Sequence, residues 1–161
     1  MRRSRTLLPC LTGLALLALP LTAAAGTDTG TLAVTATVES SCALDGGTLN
    51  FGQYNSGQQT DLDVEGSISY SHCSGTLSFA LDGGTSGNIN SRTMVSGDNE
   101  LSYQLYRNSN RSAVWGSGAQ AHEVLLFEVE SGTVPVYGRI LAGQLAAPGS
   151  YSDTVTITMT F

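Results

Sequence analysis

The chain has 161 residues, with seven arginines, no lysine, thirteen acids and a pI near 4.6. Its first 25 residues read as a secretory leader that carries off three arginines, so four arginines face thirteen acids and the net charge becomes −9. A negative chain of one domain's length, with no basic cluster, excludes nucleic acid and anionic lipid as the partners to expect.

The leader has a positive start (Arg2, Arg3, Arg5), an apolar run over residues 7–21 and the small residues Ala23, Ala24 and Ala25 at a cleavage position. The run is short for a membrane anchor. Cys10 leaves with it. After a short polar tail, residues 31–38 place Leu32, Val34, Ala36 and Val38 on one face of a predicted strand, with threonines mostly on the other. This strand has no turn partner before it. Cys42 and Cys73 remain as an even pair in an oxidising compartment and read as a disulfide, one that stabilises the fold by roughly 3–4 kcal/mol.

Strand signals then recur between clusters of Gly, Asn, Ser and Asp, the pattern of an all-β sandwich or barrel. Leu49 and Phe51 share a face. Leu62 and Val64, then Ile68, Tyr70 and His72, then Leu77, Phe79 and Leu81 form successive apolar faces. A weaker strand surrounds Arg92 and Met94, and Leu101, Tyr103 and Leu105 alternate clearly. Residues 117–130 receive no fold assignment. Within them Val124, Leu125, Leu126 and Phe127 suit either a strand apolar on both faces or a short helical turn. Val136, Gly138 and Ile140 belong to a further strand. The last strand, over residues 151–161, puts Val155, Ile157, Met159 and Phe161 on one face and threonines on the other. With no segment after it, that strand leaves an exposed edge.

No catalytic constellation stands out, and no cofactor or metal site is expected. His122 and Glu123 are adjacent strand residues and point to opposite faces. Asp61, Asp63 and Glu65 resemble a carboxylate comb but alternate with apolar residues, as an exposed strand face does. Trp115 and Tyr137 are candidates for stacking on a sugar, with core packing the alternative reading. A small outer-membrane β-barrel and a free secreted carbohydrate-binding sandwich are rival classes. Eleven aromatics without girdles, and Asp153 on the apolar face of the last strand, argue against the barrel.

A set of short motifs carries a family resemblance. The first cysteine is followed by Leu49-Asn50-Phe51-Gly52-Gln53-Tyr54, then by Cys73, Leu81-Asp82-Gly83-Gly84 and Arg92-Thr93-Met94. Leu101-Ser102-Tyr103-Gln104-Leu105-Tyr106-Arg107, Trp115-Gly116, Val136-Tyr137-Gly138-Arg139-Ile140 and Gly149-Ser150-Tyr151-Ser152-Asp153-Thr154-Val155 complete the set. In this order the chain resembles the spore coat protein U family, the pilin subunits of archaic chaperone–usher fimbriae.

The resemblance implies an incomplete immunoglobulin-like sandwich lacking its last strand, over residues 38–161, behind a leader (1–25) and a donor-strand extension (26–37). It implies a periplasmic pilus chaperone, an outer-membrane usher and neighbouring pilin subunits as partners, and a place on an extracellular fimbria that supports adhesion and biofilm formation. Leu32, Val34, Ala36 and Val38 would be the donor residues, Val38 the one that stays with its own first strand. Val155, Ile157, Met159 and Phe161 would border the acceptor groove. With no room for a second domain, the chain fits a shaft or minor subunit rather than a two-domain tip adhesin.

Overall fold

The computed structural model describes residues 25–39 and 41–161. The leader reading lies outside the described residues, Ala25 excepted. The chain divides between Thr37 and Val38 into two units. In the first, residues 25–37 carry no helix or strand, and Leu32 and Val34 are 87% and 83% exposed. The predicted strand over residues 31–38 is therefore not part of any sheet among the described residues.

The second unit, Val38–Phe161, holds six strands among the described residues: β1 (Ala43–Thr48), β2 (Leu62–Leu81), β3 (Arg92–Ser96), β4 (Asn99–Tyr106), β5 (His122–Ile140) and β6 (Ile157–Thr160). All pairings are antiparallel, in the order β1-β2-β5-β4-β3, with β6 on the far end of β2. This order ends at β1 and β3 without closing into a barrel.

The centre of the fold is the ribbon of β2 and β5, paired from Leu62 opposite Ile140 to Phe79 opposite His122. The sequence suggests separate strands around residues 62–65, 68–72 and 77–81. They are one strand of 20 residues. The pairing with β5 runs unbroken through Gly66 and Ser67, and only the second apparent break adjoins bulges, between Tyr70 and Gly75, where His72 and Gly75 take φ of +53° and +80°. Bending gives β2 two sets of neighbours: β1 lies on residues 67–71 and β6 on residues 78–81. The Cys42–Cys73 disulfide ties the chain just before β1 to this bend.

The unassigned run at residues 124–127 belongs to β5 and is strand, not a helical turn. Leu126 points into the core, whereas Leu125 and Phe127 face solvent. The last predicted strand is shorter in its ladder than its alternation suggests. Only Ile157–Thr160 pairs with β2, because β2 ends at Leu81 and offers no further edge. The core gathers Ile68, Leu77, Phe79, Val134 and Ile140 around Trp115, whose indole N–H donates to the Phe79 carbonyl at 2.8 Å. Trp115 is fully buried and Tyr137 lies under the Arg111 guanidinium, 5.8 Å from its ring centroid, so core and surface packing account for both.

Candidate functional site

One side of this core is uncovered. After Thr48 the pairing with β2 stops, and residues 49–54 run on without a sheet partner among the described residues. Leu49, Phe51 and Tyr54 still turn inward, each half-buried. Two glycines permit that path. A Cβ on Gly66 would lie 2.3 Å from the Thr48 carbonyl oxygen, and one on Gly138 would lie 2.9 Å from both Leu49 Cδ1 and Phe51 Cζ.

The opposite flank is residues 151–157. Tyr151, Asp153, Val155 and Ile157 alternate inward, again half-buried. This flank is held from its outer side at two points. Ser152 exchanges backbone hydrogen bonds with Val95 at 3.0 and 3.1 Å, and the Thr156 carbonyl accepts from Asp82 N at 3.1 Å. Among the described residues no backbone hydrogen bond joins the two flanks across the gap.

Between them lies a groove of about 850 Å³, floored by Ile68, Leu81, Leu101, Tyr103, Val136 and Ile140. One end is stitched shut: Gln144 N donates to the Tyr54 hydroxyl at 3.0 Å, and Gly57 N to the Gln144 carbonyl at 2.8 Å. Phe51 meets Tyr103 edge-on, with centroids 5.8 Å apart.

Asp153 is the sole acid in this lining among the described residues. It accepts from the Tyr103 hydroxyl at 2.5 Å, from Thr85 N and Oγ1 at 2.8 and 2.7 Å, and from Thr154 N at 2.8 Å. Partial burial pushes its carboxyl up, but the bonds from Tyr103, Thr85 and Thr154 together hold it below the ordinary carboxylate range. Burial, reinforced by the bonded Asp153, pushes the Tyr103 hydroxyl well above its usual value.

The predicted site residues separate into groups. Val155 and Ile157 line the groove. Met159 sits opposite Phe79 against the core, outside the lining, and Phe161 is 62% exposed. Leu32, Val34 and Val38 are exposed, as is Ala36. Sequence reasoning missed the roles of Leu49, Phe51 and Tyr54 as the first flank, and of Tyr103 in the floor. The clue was available in Asp153, an acid in an apolar alternation, which needs a buried donor opposite it.

The remaining chemistry is structural. Arg139 holds Asp63 with two bonds of 2.7 and 2.8 Å, and Arg111 approaches Asp63 at 3.3 Å, so two of the three comb carboxylates sit in an ion-pair cluster that includes Asp61. His122 lies 5.2 Å from the Trp115 ring while Glu123 is exposed. Arg92, fully buried, donates to the carbonyls of Asp82, Ile89 and Trp115 and to Gln104 Oε1.

Comparison with known proteins places this arrangement. Protein U of Myxococcus xanthus is 34% identical over 159 residues, covering 86% of this chain and 88% of that protein. A solved structure, the CsuC–CsuE chaperone–tip adhesion subunit pre-assembly complex from archaic chaperone-usher Csu pili of Acinetobacter baumannii, contains a chain that is 25% identical, with a TM-score of 0.53. The match covers 74% of this chain and 39% of that one, so the present chain spans about two fifths of its length. The structure of a chaperone-usher pilus matches at 15% identity and a TM-score of 0.49, over 89% of this chain and 98% of that one. The fold is the immunoglobulin-like fold of chaperone–usher pilin subunits. The family model of the Spore Coat Protein U domain matches residues 28–158, and the chain belongs to that family.

Proposed function

We propose that the chain is a structural subunit of a surface fimbria built by the chaperone–usher pathway. Each copy's groove accepts an extended segment from a neighbour, and residues 28–38 are the segment it offers in return. The observation that carries this reading is the open groove, with its apolar floor, between two flanks that no backbone hydrogen bond joins, in a chain that also exposes an alternating apolar segment. Strand addition to a sheet edge joins main-chain hydrogen bonds to pockets for alternate side chains, a mode known for chaperone–pilin assemblies.

Leu32, Val34, Ala36 and Val38 would together contribute on the order of 4–10 kcal/mol by burial. About eight main-chain hydrogen bonds would each add roughly 1 kcal/mol, and the ordering of the segment offsets part of this. Val155 and Ile157 border the accepting groove, and Met159 and Phe161 continue its last strand. Val38 belongs to the domain side of the division and is the weakest donor. A periplasmic chaperone fills the groove first, the outer-membrane usher exchanges it for the next subunit, and the fibre stands outside the cell, where it serves adhesion and biofilm formation.

Deleting residues 28–36 is expected to leave chaperone binding intact and abolish polymers. The test is co-expression with chaperone and usher, read as subunit ladders on gels run without heating. Fibres from the truncated subunit would falsify the donor assignment.

A further inference from the structure

A second unpaired edge lies away from the groove. β4 pairs with β5 only through residues 137–139, so the same side of β5 over residues 123–133 has no strand beside it among the described residues. Here Leu125, Phe127 and Val129 are 59%, 89% and 68% exposed, where the pairing with β2 shifts register between Leu126 and Glu130. None of them lines the groove. Three alternate large apolar side chains on a free strand edge form a template for an added strand.

We propose that this edge is a second docking surface, and that its occupant is a basic polypeptide segment that adds to β5 as a strand. Charge selects the occupant. Glu123, Glu128 and Glu130 flank the apolar stripe and are exposed. A second copy of the chain brings like charge to this edge and has little to answer it with. It has no lysine, Arg92 is buried, Arg107 is bound to the Ala119 and Ala121 carbonyls, Arg111 to the Val64 and Gly138 carbonyls, and Arg139 is held by Asp63. Like charges facing across a strand pair disfavour self-pairing, and the same glutamates favour a cationic strand. An anionic membrane is repelled on the same ground.

The test uses the mature chain with its groove saturated by a peptide of residues 28–38. The probe is a short synthetic peptide alternating valine with lysine, and the control alternates valine with glutamate. The lysine peptide is expected to bind, to weaken as salt rises, and to lose about tenfold in affinity on Phe127→Ser. Phe127 is almost fully exposed, so this variant keeps the core. Glu128→Gln with Glu130→Gln is expected to erase the preference over the glutamate peptide. Equal binding of both peptides to the unaltered chain, or no effect of Phe127→Ser, overturns the proposal. Concentration-dependent self-association of the groove-filled chain that Phe127→Ser abolishes overturns the choice of a basic occupant in favour of a second copy.

Discussion

Asp153 shows how much of the groove rests on single polar contacts. Its carboxylate gathers Tyr103 from the floor, Thr85 from the turn after β2 and its own flank. A folded pKa below the unfolded value near 3.9 means that this network stabilises the fold above about pH 4, and the contribution is lost as pH falls through the folded value. Asp153→Asn is therefore expected to lower the urea midpoint at pH 7, and the gap between variant and parent should narrow when both are measured near pH 3. A constant gap across that range would mean the carboxylate charge is irrelevant to the network. Arg92 has a different origin. Burial lowers its pKa, and it is held by carbonyls that converge from β2, the loop before β3 and the Trp115 segment. Nothing in the spacing around Arg92 announces this, because the carbonyls meet only once those three segments have packed. Asp153, by contrast, is visible in the sequence as a misfit in an apolar alternation.

At the scale of elements, the two glycines beside the first flank make separable predictions. A Cβ at Gly66 meets the Thr48 backbone, which cannot yield, whereas one at Gly138 meets only the ends of the Leu49 and Phe51 side chains. Gly66→Ala is expected to destabilise the domain by about 1–3 kcal/mol in urea unfolding. Gly138→Ala is expected to leave unfolding nearly unchanged and instead weaken binding of the donor peptide, by pushing Leu49 and Phe51 into the groove. Loss of stability with unchanged peptide binding at Gly138 would count against the flank assignment. The strands themselves were largely legible, because alternation reports which face a residue takes. Alternation does not report a partner, so residues 151–156 read as ladder strand although, among the described residues, their backbone-to-backbone bonds are confined to Ser152 with Val95 and Thr156 with Asp82. The bulges between Tyr70 and Gly75 broke the period of β2, and Gly66 and Ser67, which pair with β5 without a shift, interrupted its apolar alternation, so that one strand read as three. In β5 the exposed Leu125 and Phe127 interleave with Val124 and Leu126, and the pairing shifts register between Leu126 and Glu130, so the period vanished.

For the whole molecule, Leu49, Phe51, Tyr151, Val155 and Ile157 are half-buried around the groove, so that a segment seated there would bury them further. In the proposed fibre that segment comes from a neighbour, so a subunit's stability is coupled to occupancy of its groove. A ligand that binds only the folded state stabilises it by about 2.7 kcal/mol at a hundredfold excess over Kd, which for a domain of this size raises Tm by about 10 °C. A peptide of residues 28–38 is expected to produce a shift of that order in thermal unfolding of the mature chain truncated of its own segment. The same peptide carrying Val34→Asp should produce none, since it would place a charge against the apolar floor of Leu101 and Val136 or its neighbours. Equal shifts from the two peptides would show that main-chain pairing alone fills the groove and that the alternating side chains of the segment carry no specificity. No shift from either would detach the exposed segment from the groove, leaving the uncovered core to another partner.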